Sequence, residues 1–228
     1  MYMMNFSMII LIPGLLLGLY AQSKVKSTYS QYSKVLAQSG YTGAQFARKM
    51  LDDNGLHHIS IVAINGELTD HYDPRAKQVR LSNAVYSGNS LAALGIAAHE
   101  VGHVLQHSEG YFPLNIRNAI IPMTSISSYM YMPLIFLGFA IQNMSMINIG
   151  IILFSAIVLF QLITLPVEFN ASNRAIMTLK NDNILNDSEL TGTRKVLSAA
   201  ALTYVAALIT SILQLLQLII IFGGNRRD

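Results

Sequence analysis

The chain contains no cysteine. Disulfides, thiolate metal sites and cysteine nucleophiles are therefore excluded, and the composition is compatible with a reducing compartment without requiring one. Charge is scarce as well. Asp, Glu, Lys and Arg make up 12% of the 228 residues, about half the usual share. What charge exists is clustered: none precedes Lys24, none lies between Arg117 and Glu168, and none lies between Lys195 and Arg226. The net charge is only +3, and no Lys/Arg-rich run occurs, so nothing in the chain points to nucleic acid. No internal repeat or low-complexity tract is visible.

Against these absences stands a 52% hydrophobic composition. Charge-free apolar runs of this length read as membrane spans, because about 20 apolar residues cross the hydrocarbon core. The pattern predicts four: Phe6–Ala21, Ala119–Ile141, Met146–Pro166 and Val196–Phe222. The central run is too long for one span, and Gln142-Asn143-Met144-Ser145 breaks it into a hairpin. Pro122, Pro133 and the Gly14/Gly18 pair fall inside spans, where membrane helices tolerate them. The glycine pair offers a helix-packing face, although ordinary glycine usage in a membrane helix is the simpler reading. The first segment lacks a positive n-region, and its nearest positives, Lys24 and Lys26, follow it. It therefore reads as an uncleaved anchor with its amino terminus outside. All Lys and Arg except Arg226 and Arg227 fall in residues 22–118 and 167–195. The positive-inside rule places those segments in the cytoplasm.

About a hundred residues separate the first two spans, enough for one small domain. Lys24–Gln38 reads as a polar amphipathic helix. Thr42 is placed to cap a second helix that ends near Asn54-Gly55. Ile59–Ile64 is strand-like, Asn65-Gly66 is a hairpin-type turn, and Glu67–Tyr72 is expected to return beside it. Asp73-Pro74-Arg75 makes another turn before a third strand, Gln78–Ser82. The expectation is a small antiparallel sheet beside a helix, with an edge strand able to hold a peptide by strand addition.

That helix carries His99-Glu100-Val101-Gly102-His103, the pattern H-E-x-x-H. Ser90 is a suitable N-cap, and Leu91, Leu94, Ala98, Val101 and Leu105 give helical apolar spacing up to Gly110. Histidines four apart share one helix face, so two imidazoles can hold one zinc ion. The intervening Glu100 then stands where the general base of a zinc peptidase is needed. The plain alternative is two core histidines and a solvated Glu, but chance composition yields the full pattern in roughly one such chain in a few hundred.

A catalytic zinc needs a third protein ligand and an open position. His107 lies about 12 Å along a straight helix from His99, too far to share an ion. Asp70, His71 and Asp73 are conceivable ligands in a turn-rich segment. Glu168 lies where the third span emerges on the side of the H-E-x-x-H helix, and a carboxylate there is costly to desolvate without a partner. An interfacial Glu reaching for water explains it equally well from spacing alone.

Four strings carry a wider likeness: Thr69-Asp70-His71-Tyr72-Asp73-Pro74-Arg75, Val79-Arg80-Leu81-Ser82, Ala97-Ala98-His99-Glu100-Val101-Gly102-His103 and Leu165-Pro166-Val167-Glu168-Phe169. Together with Tyr41-Thr42-Gly43-Ala44, the stretch His107-Ser108-Glu109-Gly110-Tyr111 and the order of spans, they resemble the YugP-like family of membrane neutral zinc metallopeptidases. The resemblance covers nearly the whole chain. It implies an integral membrane protease of bacterial type with zinc held by His99, His103 and Glu168. The family usually shows Asp where this chain has Asn170. More distant membrane zinc proteases carry an Asp four residues after the ligand Glu, where this chain has Ser172. An Asp there orients a zinc-bound imidazole, and Ser can accept the same hydrogen bond more weakly.

The expected protein is thus a mainly α-helical integral membrane protein of about four spans with a small α+β zincin-like catalytic domain. Its segments are an anchor (1–23), the catalytic domain (24–118), a transmembrane hairpin (119–166), a stretch carrying the third ligand (167–195) and a last span with its tail (196–228). Glu100 is the expected base. His71, Tyr72 and Arg174 are candidate oxyanion donors, and His107, Asn170 and Ser172 are candidates for supporting the ligands. The expected partners are the lipid bilayer and protein or peptide substrates. The alternatives are a non-catalytic scaffold with a structural metal, which a fourth protein ligand would favour, and a metal transporter, which would need ionisable groups inside the spans.

Overall fold

The computed structural model describes residues 9–223. In chain order the elements are α1 (Ile12–Tyr32), α2 (Gly43–Asp53), β1 (Ser60–Ile64), β2 (His71–Asp73), β3 (Gln78–Ser82), α3 (Asn83–Tyr86), α4 (Leu91–Ser108), α5 (Phe112–Ala140), α6 (Met144–Asn181) and α7 (Asp187–Gly223). The chain divides into two compact units. Of the described residues, one comprises 9–22, 115–166 and 202–223, and the other 23–114 and 167–201.

The first unit holds the apolar runs. Helices α5, α6 and α7 are long and apolar enough to cross a membrane. Their surfaces are apolar too: Ile126, Phe136, Phe139 and Ile152 are exposed. Exposed apolar area on this scale needs a non-aqueous neighbour. Several hydroxyls in these helices turn back on their own backbone, as Thr124 does to Ile120 O, Ser155 to Ile151 O and Thr164 to Phe160 O. Such bonds satisfy hydroxyls where water is absent. The break between α5 and α6 falls where the sequence places it, with Gln142 at φ 56°. The expected span Phe6–Ala21 begins among residues outside the described ones, as do the anchor's first residues and the tail with Arg226 and Arg227. Its described part belongs to α1, which runs on to Tyr32 as one helix; the amphipathic helix expected over Lys24–Gln38 is therefore the continuation of α1 and stops short. Of the glycine pair, Gly14 packs within the unit against Thr210, whose Oγ1 donates to Gly14 O at 3.1 Å, while a Cβ on Gly18 would meet nothing within 4 Å.

The second unit is built on an aqueous-type core. Phe46, Met50 and Leu51 of α2, Val79 and Leu81 of β3, Leu94, Val101 and Val104 of α4, and Ala175 and Leu179 of α6 pack in one buried cluster. Burying each large apolar side chain contributes roughly 1.5–3 kcal/mol. Thr42 caps α2 in a full capping box, its hydroxyl accepting from Gln45 N while Gln45 Oε1 accepts from Thr42 N. Ser90 caps α4 by accepting from Ala93 N.

The sheet differs from the expectation. Its order is β1-β3-β2, with β1 parallel to β3 and only β2 antiparallel to it. The Asn65-Gly66 turn does not make a hairpin. The chain leaves β1 through Gly66 and Leu68, both at positive φ, and Asp70 then ties the loop to β3 by accepting from Ser82 N and Oγ. The tight hairpin is formed instead at Asp73-Pro74, where Asp73 Oδ1 accepts from Arg75 N and Ala76 N. An Asp that bonds two following amides builds a turn as effectively as Asn-Gly does. β3 therefore occupies the centre, and its Val79 and Leu81 are fully buried.

Candidate metal centre

Helix α4 supplies His99, Glu100 and His103, and α6 supplies Glu168, all within the second unit. The two helices touch at Gly102, where a Cβ would lie 2.7 Å from Ala171 O. Only glycine permits that approach. It brings His99 Nε2 to 3.4 Å and His103 Nε2 to 3.7 Å from Glu168 Oε2. The imidazole rings meet edge to face, with centroids 4.7 Å apart.

These separations exceed a good N–H···O hydrogen bond, which spans about 2.7–3.2 Å. They match the spacing of ligand atoms around a tetrahedral ion, since bonds of about 2.1 Å put neighbouring ligands about 3.4 Å apart. The donor set of two imidazole nitrogens and one carboxylate oxygen is also that of catalytic zinc in several peptidases. Among the described residues this trio is the group of His, Asp and Glu side chains close enough to share an ion, with its ligand atoms within 4.8 Å of one another. Glu168 is 3% exposed and Glu100 8%. A buried carboxylate needs a compensating positive charge, and a divalent cation provides it.

Both histidines are held through their other ring nitrogen. His99 Nδ1 lies 3.1 Å from Ser172 Oγ, and His103 Nδ1 lies 3.0 Å from Gln106 Oε1. Gln106 Nε2 in turn donates to Val167 O at 2.8 Å and Asn170 Oδ1 at 3.0 Å. Burial alone would lower the His103 pKa, but Glu168 and Glu100 nearby favour the cation and raise it above the usual value. A cation on this site stands in for the proton that those carboxylates otherwise attract.

The remaining sequence candidates fall into place around this trio. Arg174 is committed: its Nε donates to Asn170 Oδ1 at 2.8 Å, and its two terminal nitrogens grip Glu109 at 2.7 Å each. The guanidinium holds the Glu109 carboxyl below its usual pKa. Tyr72 Oη lies 3.1 Å from His107 Nδ1, which joins β2 to the last turn of α4. His71 Nδ1 bonds Thr69 O at 2.8 Å. Asp70 and Asp73 hold Ser82 and the β2–β3 turn, so neither stands with the histidines. Sequence reasoning missed Gln106 and Glu109. The signal available for Gln106 was its place three residues after His103, on the same helix face.

A chain of two units, one with helices fit to cross a bilayer and one with an H-E-x-x-H helix facing a carboxylate as third candidate ligand, has the make-up of a membrane-associated zinc peptidase. The comparison with known sequences agrees. The chain belongs to the family described as "Putative neutral zinc metallopeptidase", which matches residues 7–223. It is 50% identical over 218 residues to the "Putative membrane protease YugP" of Bacillus subtilis (strain 168), covering 95% of this chain and 96% of that protein. No solved structure matches it.

Proposed function

We propose that this protein is a multi-pass membrane zinc endopeptidase that hydrolyses membrane or membrane-proximal proteins. The carrying observation is the convergence of His99 Nε2, His103 Nε2 and Glu168 Oε2 at the spacing of zinc ligands, next to a buried Glu100. His99, His103 and Glu168 hold the ion. When bound, the zinc acts as a Lewis acid that polarises the scissile carbonyl and acidifies water. Glu100 takes the proton from the attacking water and delivers it to the leaving amine. Its burial keeps bulk water away from that transfer, and its place beside His99 on a rigid helix fixes its direction. Ser172 and Gln106 orient the two imidazoles. Arg174 is tied up by Glu109, so Tyr72 and His71 remain the candidate donors to the developing oxyanion. The small sheet and α4 form the zincin-like catalytic domain, and an edge strand takes the substrate backbone.

The direct test is elemental analysis of the purified protein with a proteolysis assay on a membrane substrate in vesicles. One zinc per chain is expected, with cleavage lost on chelation and restored by zinc. A protein that cleaves equally well after complete metal removal would refute the proposal.

The charge-free apolar runs support four spans, and the distribution of basic residues supports a catalytic domain in the cytoplasm. The absence of cysteine makes this testable with single introduced thiols. In intact cells, Ser145→Cys at the start of α6, beside the α5–α6 turn, is expected to react with an impermeant maleimide and Ser108→Cys to be protected. Both side chains are exposed. The reverse labelling pattern would invert the topology.

A further inference from the structure

Gln106 lies at the junction of α4 and α6, fully buried at 0% exposure. Its amide uses both donors, to Val167 O and to Asn170 Oδ1. Each partner can only accept. A backbone carbonyl has no proton to give. Asn170 presents its oxygen because Arg174 Nε sits 2.8 Å away, and a guanidinium can only donate. Arg174 is itself fixed by the two-pronged contact with Glu109. The Gln106 NH2 group must therefore face α6, which leaves Oε1 facing His103 Nδ1 at 3.0 Å. An amide oxygen accepts and never donates, so Nδ1 carries the proton. Nε2 then keeps its lone pair, and Nε2 is the atom turned toward Glu168.

His99 has no such director. Its partner is the Ser172 hydroxyl, which rotates and can either donate or accept. The two ligand histidines are thus held unequally.

We infer that Gln106 is a positioning residue that locks His103 in its Nδ1-protonated tautomer, with Asn170, Arg174 and Glu109 fixing the direction of the chain of hydrogen bonds behind it. This rests on the metal-centre reading above, and it adds the residue that prepares one ligand before the ion arrives. Losing such support for a ligating histidine typically costs 10–100-fold in metal affinity.

The test uses the full-length protein in detergent and two readouts. The first is the ring-nitrogen NMR spectrum of 15N-histidine-labelled, metal-free protein, with His103 assigned by its loss in His103→Ala. At a pH high enough to remove the extra proton that Glu168 and Glu100 favour, the expected result is a neutral His103 ring with a protonated Nδ1 and a bare Nε2. A neutral ring with its proton on Nε2 and a bare Nδ1 in the wild type would overturn the inference without recourse to any variant. The second is zinc affinity by competition with a chelating dye. Gln106→Met, similar in size but without an amide, is expected to bind zinc about 10–100-fold more weakly and to show mixed His103 tautomers. If Gln106→Met folds, binds zinc as the wild type does and keeps the same tautomer, Gln106 only fills space and the inference fails. A wild-type protein that binds no zinc would instead bring down the metal-centre reading itself.

Discussion

Glu100→Gln is expected to retain zinc at wild-type stoichiometry and to hydrolyse peptide bonds about 10²–10⁴-fold more slowly, the usual contribution of a general acid–base group. The reasoning is local. Glu100 shares α4 with both histidines but is not among the three side chains whose donor atoms converge. Its amide counterpart has nearly the same shape and fits the same 8%-exposed site. What the amide lacks is a lone pair basic enough to take a proton from water. His99→Ala and His103→Ala remove donor atoms instead, so both should lose metal and activity together. Zinc analysis and turnover measured on the same preparations separate the two outcomes. A Glu100→Gln enzyme of near-wild-type turnover would mean that another group takes the proton.

Glu168→Ala is expected to bring zinc occupancy close to zero under mild dialysis, because two imidazoles on one helix cannot close a three-ligand site. Glu168→Asp should keep part of the metal, with the carboxylate one methylene short of its reach. His99 and Glu168 lie 69 positions apart in the chain, so an ion held by both would cross-link α4 to α6. Zinc should therefore raise the thermal midpoint of the wild type, by up to about 4 kcal/mol of apparent stability at a thousandfold excess over its dissociation constant. The Glu168→Ala protein should show little of this shift. Asp73→Ala and His107→Ala are the controls: one loosens the β2–β3 turn and the other frees Tyr72, and both should keep zinc. A metal-free Asp73→Ala or His107→Ala protein beside a zinc-replete Glu168→Ala protein would transfer the third ligand.

The parts of this arrangement that sequence made legible are those governed by local rules. Ser90 and Thr42 announce helix starts because a hydroxyl at an N-cap answers an unpaired amide two or three residues on. Ile59–Ile64 and Gln78–Ser82 announce strands through their branched apolar residues. The three long apolar helices follow from the absence of charge. Strand order was not legible. Asn65-Gly66 looks like a hairpin turn in isolation, yet the loop after it is captured by Asp70 on Ser82, a contact 12 residues away in sequence. Nor was the role of Gln106 legible. A glutamine on a helix ordinarily faces water, and its importance lies in three partners, two of them more than 60 residues away. Glu168 stood between, suggested by its place at the end of an apolar run and otherwise indistinguishable from an interfacial carboxylate.

Gly102 gives the second variable position of the H-E-x-x-H pattern a mechanical meaning. It is the seat on which α6 rests, backbone against backbone, at Ala171. A single methyl there would push Ala171 O outward from 2.7 Å by several tenths of an ångström, more than the latitude of about 0.2 Å that a metal allows its ligands. Glu168 and Ser172 lie on the same stretch of α6 and would move with it. The missing side chain therefore works as a gauge: it lets the two rods meet directly, and where they meet sets the spacing of the ligands.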